Sequence, residues 1–228
     1  MYILAGLPFI APDYSSAWLL KDVQMGYLQE KFAKKGLMIL YTSPWPGQGF
    51  YTKSPVNGVT DFKGKKLRIY STATQQMGSM LGFNATILPF AEIPQAFSTG
   101  LIEALFTSPQ TGIDIQAWDN TKHFTYAGAI FSKNAVVVSK KAFNALSKDD
   151  QSNILAAAKK AELRGWEMSA ETTKKQIDIL KKNGMSAKNA PDEVISKMKS
   201  IGLEMMKSWR SKASPEANAV LDRYLSMR

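Results

Sequence analysis

The sequence contains no cysteine and only one histidine, His123. Without cysteine there are no disulfides, thiolate metal sites or thiol nucleophiles. With one histidine there is no two-histidine metal site, and any serine–histidine–aspartate triad would need His123. That residue lies in NTKHFTYAG, and no GxSxG elbow occurs anywhere. It reads as a structural or surface residue. No apolar run reaches the ~18 residues of a membrane-spanning helix. No basic region precedes MYILAGLPF, so no secretory leader is read, which leaves export open. Acidic residues are the scarcer charge: 29 Lys and Arg face 19 Asp and Glu, for a net +10. The densest basic groups are Lys63, Lys65 and Lys66, and Lys174 and Lys175 with Lys181 and Lys182. Neither is interleaved with aromatics as a nucleic-acid stacking platform would be. Dispersed charge of this kind fits a solvated surface that concentrates anions. At 228 residues and 45% hydrophobic, the chain suffices for one large or two small globular domains.

The stretch Asp61 to Thr74, DFKGKKLRIYSTAT, organises the rest. A turn leads into a short strand, Leu67 to Tyr70, and small residues then open a helix. Alternation sends Leu67 and Ile69 to one face and Arg68 and Tyr70 to the other. Arg68 stands near the strand's C-terminal end, the edge where open α/β sheets collect ligands. Its planar fork suits a carboxylate. Two readings stay open: a clamp for an organic acid, or a solvated arginine beside three lysines.

In chain order, residues 1–12 form an apolar segment broken by Gly6, Pro8 and Pro12. Asp13 or Ser15 caps a helix to about Lys35, which Gly36 stops. Leu37 to Thr42 is a buried-strand candidate. SPWPGQGFYTKSP reads as an irregular loop. Trp45, Gln48 and Phe50 there either serve a ligand or form a bend with Trp45 in the core. A helix over Ala73–Leu81, a strand over Ala85–Leu88, a short helix over Ala91–Ser98 and a strand over Leu101–Phe106 complete a parallel βαβαβ unit. The strand ends after Tyr70 and Phe106 share one edge, so Thr107 and Ser108 become donors near Arg68 or caps of the next helix. Glu92 reads as a helix-start partner and Glu103 as a mid-strand polar residue. Further on come a helix over Gly112–Lys122, a strand NAVVVS over Asn134–Ser139, and a short helix over Lys140–Leu146. A long helix capped at Ser147 runs to Asn183, at about 1.5 Å per residue roughly 50 Å. That length means either a span of two domains or a bend near Gly165. A short strand over Met185–Lys188 and two helices, about 192–212 and from Pro215 onward, finish the chain. Trp209 and Tyr224 read as packing anchors.

LPF near the start, DFKGKKLRIYS, LPFAEIPQAFSTGLIEALFTS, NAVVVSKKAFNALSKDDQ and the long helix together resemble the solute-binding proteins of TRAP transporters, the DctP-type family. The resemblance covers nearly the whole chain. It implies a periplasmic-binding-protein-like α/β fold: two α/β domains around a cleft, a long helix spanning both, and a first domain that is incomplete here. The expected division is residues 1–45 with 134–170 in the first domain, and 46–133 with 171–228 in the second. It implies a periplasmic receptor, not an enzyme, that captures an organic acid anion and delivers it to the membrane permease. In the family, the arginine of this strand holds the substrate carboxylate, which places that role on Arg68. The ligand set expected around it is Trp45, Gln48, Phe50, Tyr70, Phe90, Thr107 and Ser108. No cofactor is expected; some relatives bridge their ligand with a metal ion, which nothing in this sequence indicates.

Two departures refine the expectation. A βαβ unit that precedes LPF in the family has no counterpart here, so the chain reads as N-terminally truncated, and unpaired edges would favour association over the monomer expected of a complete receptor. The loop SPWPGQGFYTKSP also lacks the arginine of many dicarboxylate and sialic-acid members, and the family's DGxEN turn reads EALFTSP. Both favour a monocarboxylate over a C4-dicarboxylate. Rival readings are an enzyme that uses Arg68 as a clamp with Glu92, His123 or Tyr70 as base, and a nucleic-acid binder argued from charge alone.

Overall fold

The computed structural model describes residues 2–228; Met1, the first residue of the apolar start, lies outside the described residues. A 3₁₀ turn, Tyr2–Gly6, leads to helix α1, Tyr14–Ala33, whose N-cap Asp13 accepts the Ser16 N–H. The strands β1, Leu37–Pro44, and β2, Gly49–Thr52, follow. Then come β3, Lys66–Ile69; α2, Thr72–Met80; β4, Asn84–Ile87; α3, Ile93–Ser98; and β5, Ala104–Thr107. The next elements are α4, Pro109–Asp114; β6, His123–Tyr126; β7, Lys133–Ser139; and α5, Lys140–Asn144. The chain closes with α6, Lys148–Lys182; β8, Ser186–Asn189; α7, Asp192–Lys212; and α8, Pro215–Ser226.

These elements form a mixed α/β architecture with two sheets. The larger has the order β4-β3-β5-β2-β6-β8, and β1 pairs antiparallel with β7 in the smaller one. The parallel unit expected from the sequence is present, with β3 between β4 and β5. Next to it, β2 runs antiparallel to both its neighbours, β5 and β6. Its start therefore lies at the edge where β3, β5 and β6 end.

Strand β2 corrects the sequence reading, which made 43–55 irregular throughout. Its four residues GFYT are all buried. Pro46, Gly47 and Gly49 mask it in the sequence, because such residues usually punctuate loops. Gly49 is required by packing, since a Cβ there would run into the Thr125 carbonyl and the Phe124 ring. The aromatic core forms on one face of this strand: Phe50 lies 4.7 Å from Phe62 and 4.8 Å from Phe106, ring centre to ring centre. Leu4, Leu7, Leu67, Ile69 and Met77 belong to the same core. Tyr51, Leu105 and Phe124 pack on the opposite face with Leu180 and Met185.

Other boundaries shift for identifiable reasons. Leu37–Pro44 is a strand, but only half-buried, because its sheet has two strands. The helix expected over Gly112–Lys122 begins earlier, where Ser108 caps it and Pro109 fits its first position. It ends at Asp114, and Gln116 then adopts a left-handed conformation (φ 50°) before a 3₁₀ turn over Ala117–Asp119. Glu103 lies outside β5 rather than mid-strand. The aromatic run near His123 yields β6, which the sequence reading left unassigned.

Helix α6 is unbroken through Gly165 and packs against β1 of the small sheet and β8 of the large one. Glu162 fixes its middle, accepting the Thr42 N–H at 2.9 Å and the Thr42 hydroxyl at 2.8 Å. The Tyr14 hydroxyl donates to the Ser169 carbonyl at 2.7 Å, tying α1 to the same stretch. At the C-terminus, the Tyr224 hydroxyl donates to the Ile10 carbonyl at 2.7 Å, and Trp209 packs partly buried against the core.

Candidate functional site

Strand β3 carries Arg68 into register with Leu105 of β5, on the face opposite Leu67 and Ile69. Arg68 is 4% exposed. Its Nε and Nη2 donate to the Leu88 carbonyl at 3.1 and 2.9 Å. Those bonds use one side of the guanidinium and leave the outward Nη1–Nη2 edge, the geometry of an end-on carboxylate contact. No carboxylate lies within ion-pair distance of Arg68 among the described residues. Burial depresses its pKa from the usual arginine value, while Tyr70, whose ring centre is 6.0 Å from the guanidinium carbon, acts the other way.

Arg68 lines a cavity of about 570 Å³. Of the residues expected from the sequence, Trp45, Gln48, Tyr70, Phe90, Thr107 and Ser108 line it too. The antiparallel run of β2 explains Gln48, which precedes Gly49, the register partner of both Thr107 and Tyr126. Phe50 does not line the cavity: alternation turns its ring into the aromatic core, where it is fully buried.

The wall is largely satisfied internally. The Tyr70 hydroxyl donates to Gln48 Oε1 at 2.7 Å, and Gln48 Nε2 donates to Ser132 Oγ at 3.0 Å. Burial pushes the Tyr70 phenol up to about 12, against the opposing pull of Gln48, Ser132 and Arg68. Ser108 caps α4 by accepting the Thr111 N–H at 3.2 Å, and its hydroxyl donates to Thr111 Oγ1. Of its two sequence roles, the cap is the one the geometry fills. Thr107 is buried, with a hydroxyl that makes no hydrogen bond among the described residues. Trp45 Nε1 donates to Asn134 Oδ1 at 3.2 Å, and the half-exposed Phe90 closes one side.

Sequence reasoning missed Thr111, Asp114, Ser132, Lys133 and Asn134, which also line the cavity. Thr111 had a signal, because it stands three residues after the Ser108 cap. The Ser132–Asn134 group had none, since only the pairing of β7 with β1 brings it beside Trp45. Glu92 and His123, the other bases considered, are not among the lining residues.

Comparison with known proteins gives a consistent result. The model of the DctP family, described as bacterial extracellular solute-binding protein family 7, matches residues 1–212. A solute-binding protein of Chromohalobacter salexigens is 26% identical over 75% of this chain and 53% of its own length. The 2,3-diketo-L-gulonate-binding periplasmic protein YiaO of Escherichia coli is 25% identical over 80% of this chain and 56% of its own. The chain thus spans about half the length of these curated relatives. Among solved structures, DctP7 of Bordetella pertussis, an extracytoplasmic solute receptor binding pyroglutamic acid, superposes with a TM-score of 0.93 at 38% identity, covering 96% of this chain and 72% of that one. DctP6 of the same organism, also binding pyroglutamic acid, gives 0.94 at 35% identity, over 98% and 74%. A marine-metagenome TRAP solute-binding protein with co-purified pyroglutamate gives 0.93 at 31% identity, over 99% and 74%.

Proposed function

The chain belongs to the bacterial extracellular solute-binding protein family 7, the DctP family, and on that premise we propose that it captures a small organic monocarboxylate in the periplasm for delivery to a TRAP permease. The observation that carries this reading is Arg68: a buried guanidinium with no carboxylate partner among the described residues, its free edge in a cavity. A buried charge without a counter-ion is costly unless something else pairs it. An organic anion does so here, with Arg68 as its clamp and Gln48, Tyr70, Thr107 and Trp45 as the surrounding wall. Pyroglutamate is the favoured ligand, because three similar structures, at 31 to 38% identity, are described as binding it. Binding requires no acid–base pair, and none is argued.

The test is a thermal-shift panel of pyroglutamate, lactate, succinate and galacturonate, each beside its neutral amide. An acid at 100 times its dissociation constant adds about 2.7 kcal/mol of stability. The expected result is a shift with pyroglutamate, a smaller one with succinate and none with the amides. Equal shifts for acids and amides, or none at all, would contradict the reading.

A further inference from the structure

The cavity is walled by both sheets, and each contributes one cation without a carboxylate partner. Lys133 opens β7, in register with Pro44 of β1, and lines the same cavity as Arg68. Its ammonium makes no hydrogen bond or ion pair among the described residues. The nearby Lys21 is different: it pairs with Asp22 at 2.7 Å and Glu162 at 3.4 Å and lies 3.7 Å from the Trp18 ring centre. Desolvation, with repulsion from Lys21, lowers the Lys133 pKa to about 8. Lys133 is half-buried, and its head borders the cavity with no carboxylate among the described residues to pair it. The one acid on the cavity wall, Asp114, instead accepts Gln110 Nε2 at 2.7 Å. Around Lys133 the Gln48, Tyr70 and Ser132 groups bond one another.

Resting on the receptor reading above, we propose that Lys133 determines specificity, donating to a carbonyl oxygen of the ligand distinct from the carboxylate held by Arg68. The ligand class is then a compact monocarboxylate bearing a second carbonyl, as a lactam acid does. Such a ligand joins the two sheets, one polar end on each. Lys21 of α1, itself paired with Glu162 of α6, acts on Lys133 electrostatically, and Asp114 of α4, Arg68 of β3 and Tyr70 just after it line the same cavity. Control by Lys133 itself is read by removing it.

The experiment is calorimetric titration with pyroglutamate and with cyclopentanecarboxylate, which keeps the ring and carboxylate but lacks the second carbonyl. The wild-type chain should prefer pyroglutamate by tenfold or more, on the scale of ~1.4 kcal/mol per decade. Lys133→Met should reduce that preference below about threefold, because pyroglutamate loses more affinity than cyclopentanecarboxylate does. In the wild type the preference should also decline as pH rises through about 8, a readout that needs no variant. A preference that survives in Lys133→Met, or is flat with pH, overturns the inference and leaves the receptor reading intact. Binding of neither acid by the wild type overturns both.

Discussion

Two donors of Arg68 are already held by the Leu88 carbonyl, so its remaining edge is aimed before any ligand arrives. Preorganisation of this kind reduces the ordering cost of binding. Lys133 behaves in the opposite way and is a burden on the empty protein. Its folded pKa of about 8 lies below the ordinary lysine value. The unfolded chain therefore binds more protons between about pH 8 and 10.4, and linkage makes stability rise with pH in that window. The ligand-free chain should melt higher at pH 9.5 than at pH 7.5, and Lys133→Met should remove most of that increment while raising the melting point at pH 7.5. A pH response identical in both proteins would show that Lys133 is not the group responsible. At this scale the sequence revealed Arg68, because a strand, a face and an edge fix it from local pattern. It could not reveal Lys133, one of 29 basic residues, whose cavity position depends on pairing between distant strands.

Strand β2 and helix α6 join the elements that carry the site. β2 inserts antiparallel between β5 and β6, and that reversal brings Gln48 to the edge shared by Tyr70 and Thr107. Gly49→Ala should destabilise the chain by about 1–3 kcal/mol through overpacking against Thr125 and Phe124. Urea unfolding measures it, and a loss below ~0.5 kcal/mol would mean that the strand yields. Helix α6 meets β1 through Glu162, which serves the Thr42 N–H, the Thr42 hydroxyl and Lys21. Glu162→Ala leaves a buried N–H and a lysine short of partners, and should cost about 2–4 kcal/mol in the same assay. An unchanged unfolding midpoint would remove Glu162 from the account. The long helix was legible because its apolar spacing and Ser147 cap persist over many turns. β2 was not, because four residues flanked by Gly and Pro carry the signature of a loop, and Phe50 was misplaced with it.

For the whole molecule, two sheets bridged by α6 wall a cavity that carries a cation from each of them. The family fold was readable from ordered motifs spread along the chain, and the superposition on DctP-type receptors agrees with it. The walls of the cavity were only partly readable, since they form where chain segments about 65 residues apart, β3 and β7, come together. The net charge of +10 adds a general attraction for anions that salt should screen. A short-range clamp persists at high salt, so affinity measured there isolates Arg68. The decisive measurement is therefore calorimetric titration of pyroglutamate at high ionic strength into the wild type and Arg68→Lys. Lysine keeps the charge but loses the planar fork and the Leu88 anchor. The wild type should bind, and the variant should lose about 10- to 100-fold in affinity, or roughly 1.4–2.8 kcal/mol. Equal affinity in both proteins would contradict the Arg68 clamp and place the carboxylate elsewhere.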